Sequence, residues 1–474
     1  MKTTMPQNNI EKGHSNAAFE DEFGRATVKK KDGNNLELKE KASVEVVKDD
    51  NYDPFSHRKV EHPTTRWDTF FHLMKGSLGT GIFAMPNAFN DSGYVVGTIG
   101  TIFIGILCTY CIHQLITAEY ELCRRRKIPS MTYTGVAVAA LEDGPKNCRK
   151  FASLSVYVIN AFLLIYQLGT CCVYVVFVSS NIKGIVDFYT DEPVDIRLIM
   201  VIILLPLIFL NWIRNLKFLA PFSTFANLIT VVSFTLILYY IFEDSFTIDD
   251  KHAFGDVKSY PLFFGTVLFA LEAIGVILPL ENEMKKPKAF GGSFGVLNKA
   301  MVIIVALYVG IGLFGYLRFG SATLGSITLN LPRHEIKAQA VQGMLAFAIF
   351  ITHGLACYVA IDIIWNKYVS EKITNYNTFW EYVTRTALVF VTFLLAIAIP
   401  NLELFISLFG ALCLSALGLA FPAIIETCTY WNTTSGMEKA TLVSKNVIIF
   451  IIAIVGLVSG TYTSINEIIH TFFK

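Results

Sequence analysis

Eleven long apolar segments run through the chain, and they constrain its fold more than any other feature of the sequence. Each is close to, or longer than, the roughly 20 residues that a helix needs to cross a bilayer. Inside lipid the backbone must satisfy its own hydrogen bonds, so such segments form helices. We therefore predict an all-α integral membrane protein. The predicted spans are 68–90, 93–120, 151–180, 196–212, 218–242, 259–284, 298–318, 338–366, 380–399, 402–425 and 442–464.

Composition separates a membrane domain, residues 67–474, from an N-terminal tail. The chain is 53% apolar and only 16% charged, which is too apolar for a soluble globular protein. Residues 1–66 are instead rich in charged residues, and we predict a disordered cytoplasmic tail there. The net charge of +1 argues against a nucleic-acid partner. The partner that composition predicts is the lipid bilayer.

The first span is interrupted by three glycines and a proline, and it carries a histidine and a lysine. At membrane depth, irregular backbone is tolerated only where it lines a cavity or is covered by protein. Carriers built from internal repeats use such broken helices to bind their solutes. The substrate-binding residues predicted at this break are Gly76, Ser77, Gly79, Thr80 and Gly81.

The sixth span is interrupted in the same way, with Gly275 four residues before a proline and Glu272 near its middle. We predict that Ala273 and Gly275 complete the substrate site. Glycine and proline also permit close helix packing in membranes, which is the alternative explanation for either break taken alone. Two breaks at matching positions favour a binding site.

The two breaks divide the spans into two halves of opposite orientation. Residues 68–242 hold the first five spans, residues 259–425 hold the next five, and the span at 442–464 is additional. Interrupted helices at corresponding positions of two halves are typical of inverted-repeat carriers. We therefore predict a 5+5 inverted repeat plus one extra helix.

Three stretches resemble the proton-coupled amino acid transporters of the amino acid/auxin permease group, and the insect members look most similar. They are GSLGTG at 76–81, GVILPLEN at 275–282 and LAPFST at 219–224. The resemblance implies a LeuT-like fold, shared with bacterial sodium-coupled carriers. It also implies symport of small neutral amino acids, of the alanine, glycine and proline type, with protons into the cytoplasm. The stretch 355–362 departs from the family by lacking its usual glutamine and proline.

A bound amino acid would present a carboxylate and an ammonium group to the breaks. The N–H groups that follow Gly79 suit the carboxylate, and carbonyls near Ala273 suit the ammonium. For the proton, the resemblance points to His72, since imidazole titrates near neutral pH. Glu272 is the second candidate, because a desolvated carboxyl group takes up a proton more readily. We expect no cofactor apart from the cotransported proton, and no metal.

Several other functions stay open at this stage. The chain is alternatively an amino acid transceptor that signals to a growth-control complex, or a sodium-coupled or uncoupled carrier. A channel would need a polar pore or rings of charge, and no such regular set is present in the sequence. No nucleophile–base motif or phosphate loop indicates an enzyme. The expected location is the plasma membrane, the lysosomal or late endosomal membrane, or both.

Loop charges predict the orientation and supply a test. With the N-terminus in the cytoplasm, the inner loops hold seventeen Lys and Arg residues and the outer loops five. An odd number of spans then places the C-terminus outside or in a lumen. Tags on the two termini should therefore differ in protease protection in sealed membranes. Equal protection of both tags would contradict the model.

Overall fold

The computed structural model describes residues 52–60, 63–214, 218–243, 246, 248, 250–271, 274–370, 372–373 and 376–472. Within them the chain is almost entirely helical, and the extended pairing is one parallel bridge between Thr64 and Met284. The helices are α1 Pro54–His57, α2 Arg66–Ser77, α3 Thr80–Ser92, α4 Tyr94–Arg126, α5 Tyr133–Asp143, α6 Lys146–Arg149, α7 Ala152–Tyr189, α8 Ile196–Asn211, α9 Ala220–Phe242, α10 Tyr260–Leu271, α11 Ile274–Asn282, α12 Val296–Phe319, α13 Ile336–Ile364, α14 Asn377–Ala398, α15 Leu402–Phe409, α16 Phe421–Tyr430 and α17 Gly436–Phe472.

Every predicted span has a helical counterpart, and the all-α membrane class is confirmed. In the described part of the chain, nine helices or joined helices are long and apolar enough to cross a membrane. Helix α8 is apolar but shorter, and the first span is split into α2 and α3. The exact number of eleven crossing helices remains a prediction. The division at Pro400 is confirmed, because the Asn401 side chain caps α15 by accepting from the Leu404 N–H at 3.2 Å.

Helix α2 is followed at a break by α3, while α10 and α11 lie on either side of residues 272–273, which the structure does not describe. The first predicted repeat corresponds to helices α2 to α9, the second to α10 to α16, and α17 follows them. The two halves interlock: α3 packs against α10 and α12, and α7 packs along α13. The break between α2 and α3 therefore lies beside α10 in the buried centre of the bundle.

The boundary predicted for the tail is wrong at its C-terminal end. Residues 1–51, 61 and 62 lie outside the described residues, but residues 52–60 and 63–65 pack against the bundle and are together called the strap below. Tyr52 and Pro54 are buried, and the Arg58 side chain is only 5% exposed. Composition could not reveal this, because the strap is held by a few contacts to distant residues rather than by an apolar segment of its own.

Candidate functional site

The first break is a tight turn between α2 and α3. Leu78 has φ −83° and ψ 60°, and the Gly79 N–H donates to the Ser77 carbonyl at 3.0 Å. This is the geometry of an inverse γ-turn, which ends one helix and lets the next begin at Thr80. Glycines on both sides of the turn weaken the competing continuous helix.

The second predicted break falls at residues 272–273, between α10 and α11, and these two residues are not described by the structure. Glu272 and Ala273 fall outside the described residues, so their assignments to proton coupling and substrate binding remain predictions. Gly275 belongs to the first turn of α11. A Cβ atom added at Gly275, or at Gly79 in the other break, would meet no atom within 4 Å. Both glycines therefore border open space.

Tyr308 of α12 joins the first break to the C-terminal part of α10. Its buried hydroxyl hydrogen-bonds the Ser77 carbonyl, at the end of α2, and lies 2.8 Å from the Ala270 carbonyl, near the end of α10. Sequence reasoning missed this residue. A single tyrosine in an apolar helix produces no recognisable local sequence pattern, because its hydrogen-bond partners are 231 and 38 residues away in the chain.

Several polar groups at the first break are buried without a protein partner. The hydroxyl groups of Ser77 and Thr80 make no hydrogen bond, although the two residues are only 3% and 1% exposed. Gly79, the N-cap of α3, also has no side chain to pair with the first N–H groups of that helix. Buried polar groups are costly when unpaired, so this arrangement suits a polar ligand.

The helix ends give the site both signs of charge. Helix α2 ends at the first break with its carbonyl end, and α3 begins there with its N–H end. Carbonyl ends carry partial negative charge and N–H ends carry partial positive charge. The arrangement is therefore complementary to a small molecule that carries a cationic group and an anionic group close together.

Two predicted glycines have closer neighbours than Gly79 and Gly275. An added Cβ at Gly81 would lie 2.6 Å from the Cα of Ala270, so this glycine permits the close crossing of α3 and α10. At Gly76 the nearest atom would be the Val276 Cγ2 at 3.7 Å, an ordinary contact between α2 and α11. Gly81 thus has a packing role.

His72 lies apart from the groups that meet at the break. It is exposed on α2, five residues before Ser77, which corresponds to about 7.5 Å along the helix. Nearby, the Lys75 Nζ lies 3.4 Å from the Ser223 Oγ of α9. The structure therefore does not bring His72 into contact with the substrate-binding residues, and its role in proton coupling remains a prediction.

Comparison with known proteins gives consistent matches. The family model described as "Transmembrane amino acid transporter protein" matches residues 62–466. The chain is 40% identical to the Drosophila melanogaster "Proton-coupled amino acid transporter-like protein pathetic", with 89% of each chain covered. It is 26% identical to the Caenorhabditis elegans "Probable amino acid transporter skat-1", covering 84% of this chain and 89% of that protein. Among solved structures, inward-facing Mhp1 matches with TM-score 0.53 and 13% identity, covering 87% of this chain and 91% of Mhp1.

The glycine geometry predicts that two neighbouring substitutions differ in their effect on folding. Gly81→Val should destabilise the bundle, because its Cβ would overlap the Ala270 backbone. Gly79→Val should leave thermal stability close to wild type, since its side chain enters open space. Thermal unfolding of the purified variants in detergent measures both. Equal losses of stability would show that Gly79 is also a packing position.

Proposed function

Because the chain belongs to the transmembrane amino acid transporter family, we propose that it is a secondary active symporter that carries small neutral amino acids together with protons into the cytoplasm. Its relatives and its fold are those of transporters and not of enzymes. The observation that carries the proposal is the break between α2 and α3, where Tyr308 hydrogen-bonds the Ser77 and Ala270 carbonyls near the unpartnered hydroxyls of Ser77 and Thr80.

The chemistry of the breaks supports an amino acid as the substrate. The N–H end of α3 suits the carboxylate, and the carbonyls of Ser77 and Ala270 suit the ammonium group. The described residues that meet at the breaks have uncharged side chains, which favours a neutral substrate. The close crossing of α3 and α10 at Gly81 leaves little room there, which favours a small one.

Proton coupling is supported by the name of the Drosophila relative and by the residues that resemble that family. His72 is the proposed proton carrier on α2, and Glu272 is the second. Sodium coupling is the alternative that the same fold allows. We place the transporter in the plasma membrane, the lysosomal or late endosomal membrane, or both. Signalling of amino acid supply to a growth-control complex is a further proposal that rests on the resemblance alone.

Uptake measurements test the function directly. Labelled alanine, glycine and proline are offered to cells at pH 5.5 and pH 7.5 while currents are recorded. We expect saturable uptake that rises in acid and carries inward positive current. Gly79→Val and Gly275→Val should abolish it at normal surface expression, because the added side chains fill the space at the breaks. Uptake that is flat with pH but needs sodium would contradict proton coupling and leave amino acid transport intact.

The two candidate proton carriers should respond differently to substitution. Imidazole titrates in the working range without assistance, whereas a carboxyl group must first be desolvated. His72→Ala should therefore remove the pH dependence of uptake, or uptake itself. Glu272→Gln should mainly change the KM for the amino acid. If Glu272→Gln instead removes the pH dependence of uptake while His72→Ala keeps it, Glu272 is the proton carrier and His72 is not.

Tyr308 should affect substrate affinity, because its hydroxyl hydrogen-bonds the Ser77 and Ala270 carbonyls, which are the groups that the ammonium group would use. We expect Tyr308→Phe to change the KM for alanine by about tenfold, the worth of one buried hydrogen bond. Tyr316→Phe is the matched control. It lies on the same helix, is equally buried, and its hydroxyl accepts from the His252 N–H at 3.1 Å, away from the breaks. Similar KM changes in both variants would count against a direct role for Tyr308.

A further inference from the structure

The strap ties together the two half-helices that lie on one side of the breaks. The Thr64 N–H donates to the Glu283 carbonyl and the Lys285 N–H donates to the Thr64 carbonyl, both at 2.9 Å. Thr65 then caps α2, while Glu283 directly follows α11. Since α2 also packs against α11, the strap and these two helices form one connected unit, called the inner unit below.

A buried guanidinium group links the inner unit to α4. The Arg58 Nη1 lies 2.8 Å from the Glu281 Oε2 of α11, and its Nη2 lies 3.4 Å from the Glu119 Oε2 of α4. The Arg58 Nε donates to the Pro129 carbonyl at 3.0 Å. The exposed fractions of the side chains are 5% for Arg58, 0% for Glu119 and 1% for Glu281.

The two carboxylates differ in how many of their oxygen atoms accept hydrogen bonds. The Glu119 Oε1 accepts from the Met131 N–H at 3.1 Å and from the Cys123 thiol at 3.2 Å. The Glu281 Oε1 is buried and has no hydrogen-bond partner. A carboxylate oxygen without a partner in a closed site is costly, and protonation is the usual way to remove that cost.

The charges of this trio do not balance. Two ionised glutamates and one arginine give a net charge of −1 in a site closed to solvent. One guanidinium cannot fully neutralise two buried carboxylates, and like charges that share a site hold on to a proton. One added proton makes the trio neutral, and the free Glu281 oxygen is the atom that can carry it.

Among the residues that the structure describes, the surrounding ionisable groups do not supply the missing positive charge. Helix α4 adds the Cys123 thiol, and the strap adds Tyr52, stacked on His57 at 4.3 Å. Glu283 beyond α11 adds another carboxyl group, and Lys288 is held by Asp53 at 2.9 Å. The face that α2 buries consists of Thr69, Leu73 and Ser77, which are not ionisable.

We infer that the Arg58–Glu119–Glu281 trio is a proton-binding site, in which Glu281 holds the transported proton while the strap is docked. The inference rests on the proposed proton coupling and makes Glu281 an alternative to His72 and Glu272 as the group that holds the proton. Helix α11 has the substrate break at one end and Glu281 at the other, about 10 Å apart. Loss of the proton leaves a net charge of −1 in the closed site, which favours opening of the site to water and hydration of the carboxylates while Arg58 stays paired. Proton release is thereby linked to movement of the inner unit.

Neutralising Glu281 without changing its shape tests the inference. In proteoliposomes, Glu281→Gln should exchange alanine across the membrane within about twofold of wild type. It should lose accumulation driven by an imposed pH gradient, and alanine should no longer carry protons into the vesicle. Glu119→Gln should behave alike, because it leaves a balanced Arg58–Glu281 pair. Asp53→Asn is the matched control, because the strap carboxylate that it removes pairs with the exposed Lys288 rather than with Arg58.

The outcomes separate this inference from the proposed function. Wild-type uptake that ignores pH would overturn proton coupling as a whole. Wild-type coupling that survives in Glu281→Gln would overturn the inference alone, as would loss of coupling in Asp53→Asn. Because glutamine has the shape of a protonated glutamate, failure of Glu281→Gln to fold would also count against it. Coupling lost only in His72→Ala would place the proton on α2 instead.

Discussion

The backbone groups freed at the break between α2 and α3 are the constraint on which the rest of the structure depends. At membrane depth water is not available to pair with them, so the protein must do so. Tyr308 meets this need only in part, because a hydroxyl donates one hydrogen and faces two carbonyls, those of Ser77 and Ala270. The breaks therefore keep acceptor capacity for an ammonium group, and the uncapped start of α3 keeps donors for a carboxylate.

The sequence was a good guide wherever the information is local. Apolar length located the helices, and the glycines at 76, 79 and 81 placed the first break where Leu78 turns. It failed where a residue acts on distant parts of the chain. Arg58 lies in a polar segment, and its carboxylate partners are 61 and 223 residues away. Composition could only describe such a segment as a tail, since a buried ion pair leaves no periodic pattern.

Residues of one motif also proved to have different tasks. Gly79 and Gly81 are equivalent in the sequence, yet one borders open space and the other permits contact with the Ala270 backbone. The role of each glycine depends on which helix packs against it. For Gly81 that helix is α10, which lies in the second predicted repeat. Sequence reasoning could therefore predict that the break is a site, but not which glycines form its wall.

The first break and the predicted second one divide the centre of the molecule into two pairs of helices. On one side α3 and α10 are in close contact at Gly81, and on the other α2 and α11 are joined by the strap bridge at Thr64. An amino acid bound at the breaks would touch helix ends of both pairs, so its binding energy holds the pairs together. Docking of Arg58 acts on one pair only. Substrate and proton thus act at opposite ends of α11. Both therefore influence the movement of this one helix without contacting each other.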